Sequence, residues 1–145
     1  MYYGQKVKQL RERVGVSQKQ LASLIDVSVS RYTHYENEDE ILPIKYLIQL
    51  CDYFKVSLDY VFGFSEITIY SNEKEGSFLD ITGIRLKAFR KGNKITQDKI
   101  AQVLNVDRST IAKYESGHYL ISTLFLYTIC KKYNVSADYL LGKID

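Results

Sequence analysis

The sequence of 145 residues has little of what several classes of protein require. It contains one proline, two cysteines, two histidines and no tryptophan. No apolar run approaches the roughly 18 to 20 residues that cross a bilayer, and the polar, amphipathic start does not look like a signal peptide. The scarcity of proline and of Gly/Ser tracts argues against low-complexity regions. These absences favour a folded cytoplasmic protein without a membrane segment.

The cysteines and histidines do not form a recognisable reactive or metal-binding set. Cys51 and Cys130 each lie within an apolar helical pattern, which favours buried free thiols over a disulfide. The chain has no CxxC, and His34 and His118 have no ligand neighbours at metal spacing. It also lacks a nucleophile-base set and a phosphate-cradling glycine loop. We therefore expect no metal, no cofactor and no enzymatic activity.

What the sequence does contain is an internal repeat. A shift of 79 residues superimposes the first part of the chain on the last without a gap. The identities include Gly4 with Gly83, Arg11 with Arg90, Gln18 with Gln97, Glu36 with Glu115 and Cys51 with Cys130. Chance similarity would not keep register over so long a span. We infer two copies of one unit, residues 1–63 and 81–145, joined by a linker, 64–80.

Apolar spacing and start signals predict five short helices in each unit. The first helix covers 3–13 in one copy and 81–92 in the other, and the fourth covers about 44–54 and 123–133. Ser17 and Thr96 suit the N-cap of the second helix, and Ser28 and Asp107 suit that of the third. The predicted fold class is therefore all-α.

The third helix of the second unit, "RSTIAKYE", has one face free of core residues. On a helical wheel Ile111 and Tyr114 share one side, whereas Arg108, Ser109 and Lys113 lie opposite. Taken alone, such a polar face is more often just solvated. Here, however, the helix follows another short helix after a tight turn, and a glutamine begins that preceding helix. This is the layout of a helix-turn-helix.

At this point the sequence resembles the XRE, or Cro/repressor, family of helix-turn-helix proteins, which includes the lambda-type phage repressors. The resemblance rests on "TQDKIAQVLNVDRSTIAKYESG" with "SADYLLG", and on "SQKQLASLIDVSVSRYTHYEN" with "SLDYVFG". It implies two tandem five-helix lambda-repressor-like domains whose recognition helices, 29–36 and 108–115, enter the DNA major groove. The DNA-binding residues it implies are Gln97, Arg108, Ser109, Thr110 and Lys113 in the second unit, and Gln18, Val29, Ser30, Arg31, Thr33 and His34 in the first.

The resemblance also implies residues that hold the recognition helix in place. Arg11 with Glu36, and Arg90 with Glu115, match a family pair that joins the first helix to the end of the third. An arginine fork can bind a carboxylate bidentately and still offer a donor to phosphate. Gly117 matches the glycine that usually follows the third helix.

The two units differ in charge. Residues 1–63 are neutral overall, 64–80 carry a net charge of −3 and 81–145 carry +6. Because affinity for DNA comes mainly from neutralising phosphates, we expect the second unit to bind more strongly.

The stretch "ENEDE" in the first unit is acidic where the second unit has "ESGHY". Glu38 stands in the place of Gly117, so either Glu38 adopts a left-handed backbone at a cost of about 1 to 2 kcal/mol or Asn37 takes the turn. Glu38, Asp39 and Glu40 would repel DNA phosphate, or they would stabilise the positive start of the fourth helix. The sequence leaves both interpretations open.

Two functional hypotheses follow. The first is a sequence-specific DNA-binding transcriptional repressor with two readers on one linker of some 17 residues, which would span roughly 20 to 25 Å if disordered. In the second, only the unit at 81–145 binds double-stranded DNA, and the unit at 1–63 forms a homodimer or meets a protein partner. Neither hypothesis includes a small-molecule ligand.

Overall fold

The computed structural model describes residues 3–76 and 79–145, apart from the side chain of Leu79. Within these residues the chain is all-helical, which confirms the predicted fold class. It divides into two units, Met1–Ser71 and Asn72–Asp145, here called the N-terminal and C-terminal units. The helices are α1 (Tyr3–Val14), α2 (Gln18–Leu24), α3 (Val29–Glu36), α4 (Ile44–Phe54) and α5 (Leu58–Val61), then α6 (Leu79–Gly92), α7 (Gln97–Leu104), α8 (Arg108–Glu115), α9 (Thr123–Tyr133) and α10 (Ala137–Leu140).

Side-chain caps explain why most helices begin where the sequence predicts. Ser17 accepts the amide of Gln20, whose side chain accepts the amide of Ser17, forming a reciprocal capping box at α2. Ser28 and Thr96 cap α3 and α7 with single hydrogen bonds. Asp107 holds the N-cap position of α8 but makes no side-chain capping hydrogen bond. α8 therefore begins at the expected residue without the expected cap.

Each unit has its own apolar core, formed by the inward faces of its helices. The residues that are almost wholly buried include Leu21, Ile25, Leu47 and Leu58 in the N-terminal unit and Ile100, Ile111, Leu126 and Leu140 in the C-terminal unit. Cys51 and Cys130 lie in these cores as free thiols. The helical periodicity of the sequence thus identified the buried faces.

Glycine lets the first helix of each unit pass close to the end of the third. A Cβ atom on Gly4 would lie 2.5 Å from the carbonyl oxygen of Glu36, and one on Gly83 would overlap the carbonyl oxygens of Tyr114 and Glu115. These oxygens belong to the backbone of α3 and α8, so they cannot swing aside as a side chain would.

Substituting Gly83 by alanine is therefore expected to lower the free energy of unfolding of the C-terminal unit by more than about 1 kcal/mol, because the added methyl group overpacks the crossing. The matched control is Gly92→Ala in the same helix, where a Cβ has no neighbour within 4 Å. That change should instead stabilise by about 0.5 to 1 kcal/mol. Urea denaturation followed by circular dichroism compares the two variants, and equal stabilities would contradict the close crossing.

Part of the predicted linker packs on the N-terminal unit. The amide of Ser57 donates to the carbonyl of Thr68, and its hydroxyl donates to the carbonyl of Ile67 at 3.2 Å. The phenol of Tyr70 donates to the Asp59 carboxylate at 2.7 Å.

The next part of the same segment, residues 72–76, packs on the C-terminal unit. The Lys74 amide donates to the carbonyl of Lys143 at 2.8 Å, and the Lys143 ammonium donates to the carbonyl of Gly76 at 3.3 Å. These hydrogen bonds tie the described part of the segment to one unit or the other, so the span that holds for a disordered linker does not apply to it.

Within residues 3–76 and 79–145 no helix combines the length and the apolar character that a membrane span requires. The same part of the chain holds no group of three or more His, Cys, Asp or Glu side chains arranged to bind a metal ion.

Candidate nucleic-acid interface

Helices α7 and α8, and likewise α2 and α3, are joined by a short turn that contains one left-handed residue. Asn105 has φ 56° and its counterpart Asp26 has φ 58°. Asn and Asp tolerate this conformation better than other residues with a side chain. The next amide, on Val106 or Val27, then bonds back to the preceding helix at 3.0 Å. Equivalent turns thus orient the third helix in both units.

Helix α8 presents the polar face that its sequence predicts. Ile111 is completely buried, and Tyr114 is buried beside it. Arg108, Ser109 and Lys113 are exposed on the opposite side, whereas the remaining predicted contact, Thr110, is half-buried. The exposed face therefore offers two cations and a hydroxyl.

Helix α3 has the same division into a buried and an exposed side. Tyr32 and Tyr35 are buried. Four of the predicted contacts, Val29, Ser30, Arg31 and His34, are exposed, and Thr33 is half-buried. Its exposed face differs from that of α8 because an apolar side chain, Val29, stands where α8 begins with an arginine.

In the C-terminal unit a buried ion pair ties α6 to the end of α8. The Arg90 guanidinium contacts both carboxylate oxygens of Glu115, with Nε–Oε2 at 2.7 Å and Nη2–Oε1 at 3.0 Å. A third nitrogen, Nη1, donates to the carbonyl of Ile95 at 3.1 Å. The side chains of Arg90 and Glu115 are only 10% and 4% exposed, so solvent screens the pair weakly.

The ion pair continues as a hydrogen-bonded chain to the exposed face of α8. The side-chain amide of Gln97 donates to Glu115 at 3.2 Å, and its carbonyl oxygen accepts Arg108 Nε at 3.2 Å. Gln97 therefore links the buried pair to the first residue of α8. The hydrogen bond from Arg108 Nε to Gln97 restrains the exposed guanidinium group of Arg108.

The N-terminal unit has the same ion pair but a different continuation. Arg11 Nε and Nη2 contact the Glu36 carboxylate at 3.0 and 2.9 Å. Gln18 donates to Glu36 at 3.3 Å, but its carbonyl oxygen accepts the hydroxyl of Thr33 at 2.9 Å. The Thr33 hydroxyl also lies 2.9 Å from the carbonyl of Val29, so the contacts turn back into α3, and the Val29 side chain has no donor that would carry them to the exposed face.

Burial and hydrogen bonding act in opposite directions on Glu36. Burial by itself would raise the pKa of this carboxyl, but the hydrogen bonds from Arg11 and Gln18 outweigh it and hold the pKa below its usual range. Glu36 is therefore a carboxylate at neutral pH despite its burial.

An open cleft of about 490 Å³ lies beside this network in the C-terminal unit. Its walls carry four cationic side chains and one carboxylate, from Lys87, Arg90, Lys91, Arg108 and Asp98, together with Thr96 and Gln97. The cleft is therefore a cationic surface next to the start of α8, suited to an anionic backbone.

The loop after α8 leaves the cations of that helix free of carboxylates among the described contacts. Gly117 has φ 79°, the left-handed conformation in which glycine is least strained. The ammonium of Lys113 lies over the ring of Tyr119, 5.0 Å from its centre. An aromatic ring holds the lysine without neutralising its charge.

The corresponding loop of the N-terminal unit places acids against the basic side chains of α3. Glu40 lies 3.5 Å from Arg31, and Asp39 lies 3.2 Å from His34. All four side chains are about half exposed, so these pairs contribute little to stability. Their consequence is electrostatic, since each basic group on the exposed face of α3 has a carboxylate beside it.

Glu38 has a role that the sequence did not reveal. It adopts the left-handed turn itself, with φ 63°, whereas Asn37 stays right-handed at φ −78°. Burial raises the pKa of its carboxyl, and a hydrogen bond from the Gly4 amide at the start of α1 partly opposes the rise. Glu38 therefore caps α1 and does not simply face solvent.

Sequence reasoning identified α8 and its polar face but missed these loop contacts. The sequence shows the acids, but Glu40 reaches Arg31 only because the chain reverses after α3. The one available signal was the repeat, which sets Asp39 and Glu40 against His118 and Tyr119.

Comparisons with protein families match both units. A model described as a helix-turn-helix domain matches residues 83–145, and another described as helix-turn-helix matches residues 7–61.

Three curated proteins are similar to part of this chain. Antitoxin PezA of Streptococcus pneumoniae is 33% identical over 61 residues, which are 42% of this chain and 39% of that protein. The HTH-type transcriptional regulator ImmR of Bacillus subtilis is 39% identical over 61 residues, 42% of this chain and 48% of its own length. YobD of Bacillus subtilis, an uncharacterised HTH-type transcriptional regulator, is 34% identical over 64 residues, 44% and 57% of the two chains. The chain thus spans about half the length of these relatives. No solved structure matches.

Proposed function

We propose that this chain, which carries two tandem helix-turn-helix domains of the XRE type, is a sequence-specific DNA-binding transcriptional repressor. The two relatives from Bacillus subtilis are named HTH-type transcriptional regulators, which supports a regulatory role. In this proposal α8 lies in the major groove of double-stranded DNA and is the principal reader.

The observation that carries the proposal is the exposed face of α8 and its connection to a buried ion pair. Arg108 can donate to the O6 and N7 acceptors of guanine, and the hydrogen bond from its Nε to Gln97 leaves its terminal nitrogens available. Lys113 keeps its charge and suits a phosphate. The cationic cleft beside α8 would accept the DNA backbone, which supplies most of the affinity.

Arg108→Ala is expected to relax the preference at one base pair and to cost about 1 to 3 kcal/mol in binding. Lys113→Ala should weaken binding to all sequences and reduce the slope of log K against log salt by about one. The matched control is His34→Ala, the counterpart of Lys113 in the repeat, which should change little because Asp39 already lies beside His34. Titration of selected and random duplexes at several salt concentrations checks all three. Unchanged affinity of both C-terminal variants would exclude this docking face.

A second function for the N-terminal unit is favoured by the carboxylates beside Arg31 and His34. A reading face whose cations are already paired gains little from phosphate, so this unit would instead meet a basic protein partner or a second copy of the chain. Selection of random duplexes by the full-length protein separates the two possibilities. One kind of half-site, alone or as an inverted repeat, favours a protein-binding N-terminal unit, whereas two half-sites of different sequence favour two DNA-binding units in one chain.

A further inference from the structure

The C-terminal unit contains a cavity of about 260 Å³ between the start of α6 and the loop that follows α8. Its wall includes Thr82 and Leu86 of α6, Tyr114 of α8 and Ile121, and Tyr119 lines its more exposed side. An apolar cavity of about 150 Å³ can bind benzene. This cavity therefore has room for one substituted aromatic ring.

The N-terminal unit fills the same place with a side chain. The counterpart of Thr82 in the repeat is Tyr3, which is 1% exposed and whose phenol oxygen accepts the amide of Leu42 at 2.9 Å. The space left there holds no volume large enough for a water molecule. Four of its wall residues are the counterparts of residues around the C-terminal cavity, namely Gly4, Val7, Tyr35 and Leu42. Two replacements thus empty this place in the C-terminal unit, namely Thr82 for Tyr3, and Gly117 for Glu38, whose side chain lies against Gly4.

The cavity also contains an unsatisfied polar group. Thr82 is 4% exposed, and its hydroxyl has no hydrogen-bond partner within the described part of the chain. A buried hydroxyl without a partner is costly, and this oxygen is itself covered by the surrounding protein, so it marks a poorly filled place and is not a contact for a ligand. Ile121 holds the position whose amide, on Leu42 in the other unit, binds the phenol of Tyr3. Asp80 adds a carboxylate to the wall.

We propose that this cavity binds a small phenol, whose ring takes the place that Tyr3 fills in the N-terminal unit and whose hydroxyl accepts the amide of Ile121, as that of Tyr3 accepts the amide of Leu42. The apolar wall of Leu86, Tyr114 and Ile121 removes the ring from water, and the amide of Ile121 selects a hydroxyl-bearing ring over a plain one. The site goes beyond the proposed function and does not depend on DNA binding. The ligand would nevertheless contact Tyr114 of α8, the helix proposed to read DNA.

The test uses the full-length protein and p-cresol, which is the tyrosine side chain as a free molecule. Titration followed by amide NMR shifts should give a Kd of about 0.1 to 1 mM, ordinary for so small a ligand. The shifts should cluster at the start of α6 and in the loop after α8, and toluene, which lacks the hydroxyl, should bind several-fold more weakly. Absence of binding, equal affinity for toluene, or shifts confined to the N-terminal unit would overturn the proposal.

Two substitutions at Thr82 sharpen the test. Thr82→Tyr restores the ring of the other unit, so it should abolish p-cresol binding and raise Tm by a few degrees. Thr82→Val keeps the shape and removes only the Thr82 hydroxyl, which lies at the methyl end of the ligand, so the affinity for p-cresol should change by less than about twofold. If the larger side chain disturbs folding, the valine variant still tests the orientation. Unchanged p-cresol affinity in folded Thr82→Tyr, or a fall to the toluene affinity in Thr82→Val, would contradict the assigned position.

Discussion

Arg90→Met is expected to lower the free energy of unfolding of the C-terminal unit by about 3 to 5 kcal/mol, the cost of removing one partner from a buried ion pair. The substitution leaves the Glu115 carboxylate, 4% exposed, with only the amide of Gln97 as its described side-chain donor. Methionine keeps most of the length and apolar stem of arginine, so the loss reports mainly on charge and hydrogen bonding. Urea denaturation of the full-length protein, followed by the amide signals of α6 and α8, measures it.

A second substitution separates the ion pair from packing. The double variant Arg90→Met, Glu115→Leu removes both charges and should recover most of the lost stability, because an apolar pair of similar volume replaces a buried ionic pair at little cost. Lys91→Met, at the next and exposed position, serves as the control and should change stability by less than about 0.5 kcal/mol. A double variant no more stable than Arg90→Met would show that the cost does not come from the stranded carboxylate.

The N-terminal unit is expected to gain about ten- to a hundredfold in DNA affinity at low salt when Asp39 and Glu40 are changed to asparagine and glutamine. Each carboxylate near a phosphate costs about 1 kcal/mol in water-like surroundings, and its removal also frees His34 or Arg31. Glu38 is left in place because it caps α1. The gain should shrink as salt is raised, since exposed charges are screened.

The experiment uses full-length protein in which Arg108→Ala and Lys113→Ala already weaken the C-terminal reader. Glu12→Gln with Glu66→Gln makes the same change in net charge at exposed positions outside the loop after α3, and should alter affinity by less than about threefold. Fluorescence anisotropy with a labelled duplex at several salt concentrations compares the two double variants. Equal gains would mean that overall charge, and not the position of Asp39 and Glu40, sets the affinity.

Much of the fold was predictable because its signals are local. The start of α2 follows from Ser17 and Gln20, whose reciprocal hydrogen bonds span three residues. The buried side of α8 follows from the spacing of Ile111 and Tyr114. The repeat supports the same assignments independently, because each helix is predicted from two different segments of the chain at a constant shift.

The candidate interface was only partly predictable from the same signals. Sequence placed Arg108 and Lys113 on one face, but it could not show that Gln97 joins Arg108 to a buried carboxylate. Nor could it show that Glu40 would reach Arg31. Such contacts join residues whose distance depends on the path of the chain between them, so composition and periodicity do not report them.

The sequence by itself determined the all-helical fold, the order of the helices, the polar face of α8 and the charge difference between the copies, because these follow from side-chain type at short spacing, whereas α6 begins at Leu79, two residues before its predicted start. Only the tertiary structure decided that residues 64–76 are tied to the units and that Glu38 caps α1. The exchange of Tyr3 for Thr82 is visible in the repeat, yet the resulting cavity is not. Whether a smaller side chain leaves a space depends on how closely its neighbours pack around it, and that is a property of the folded chain.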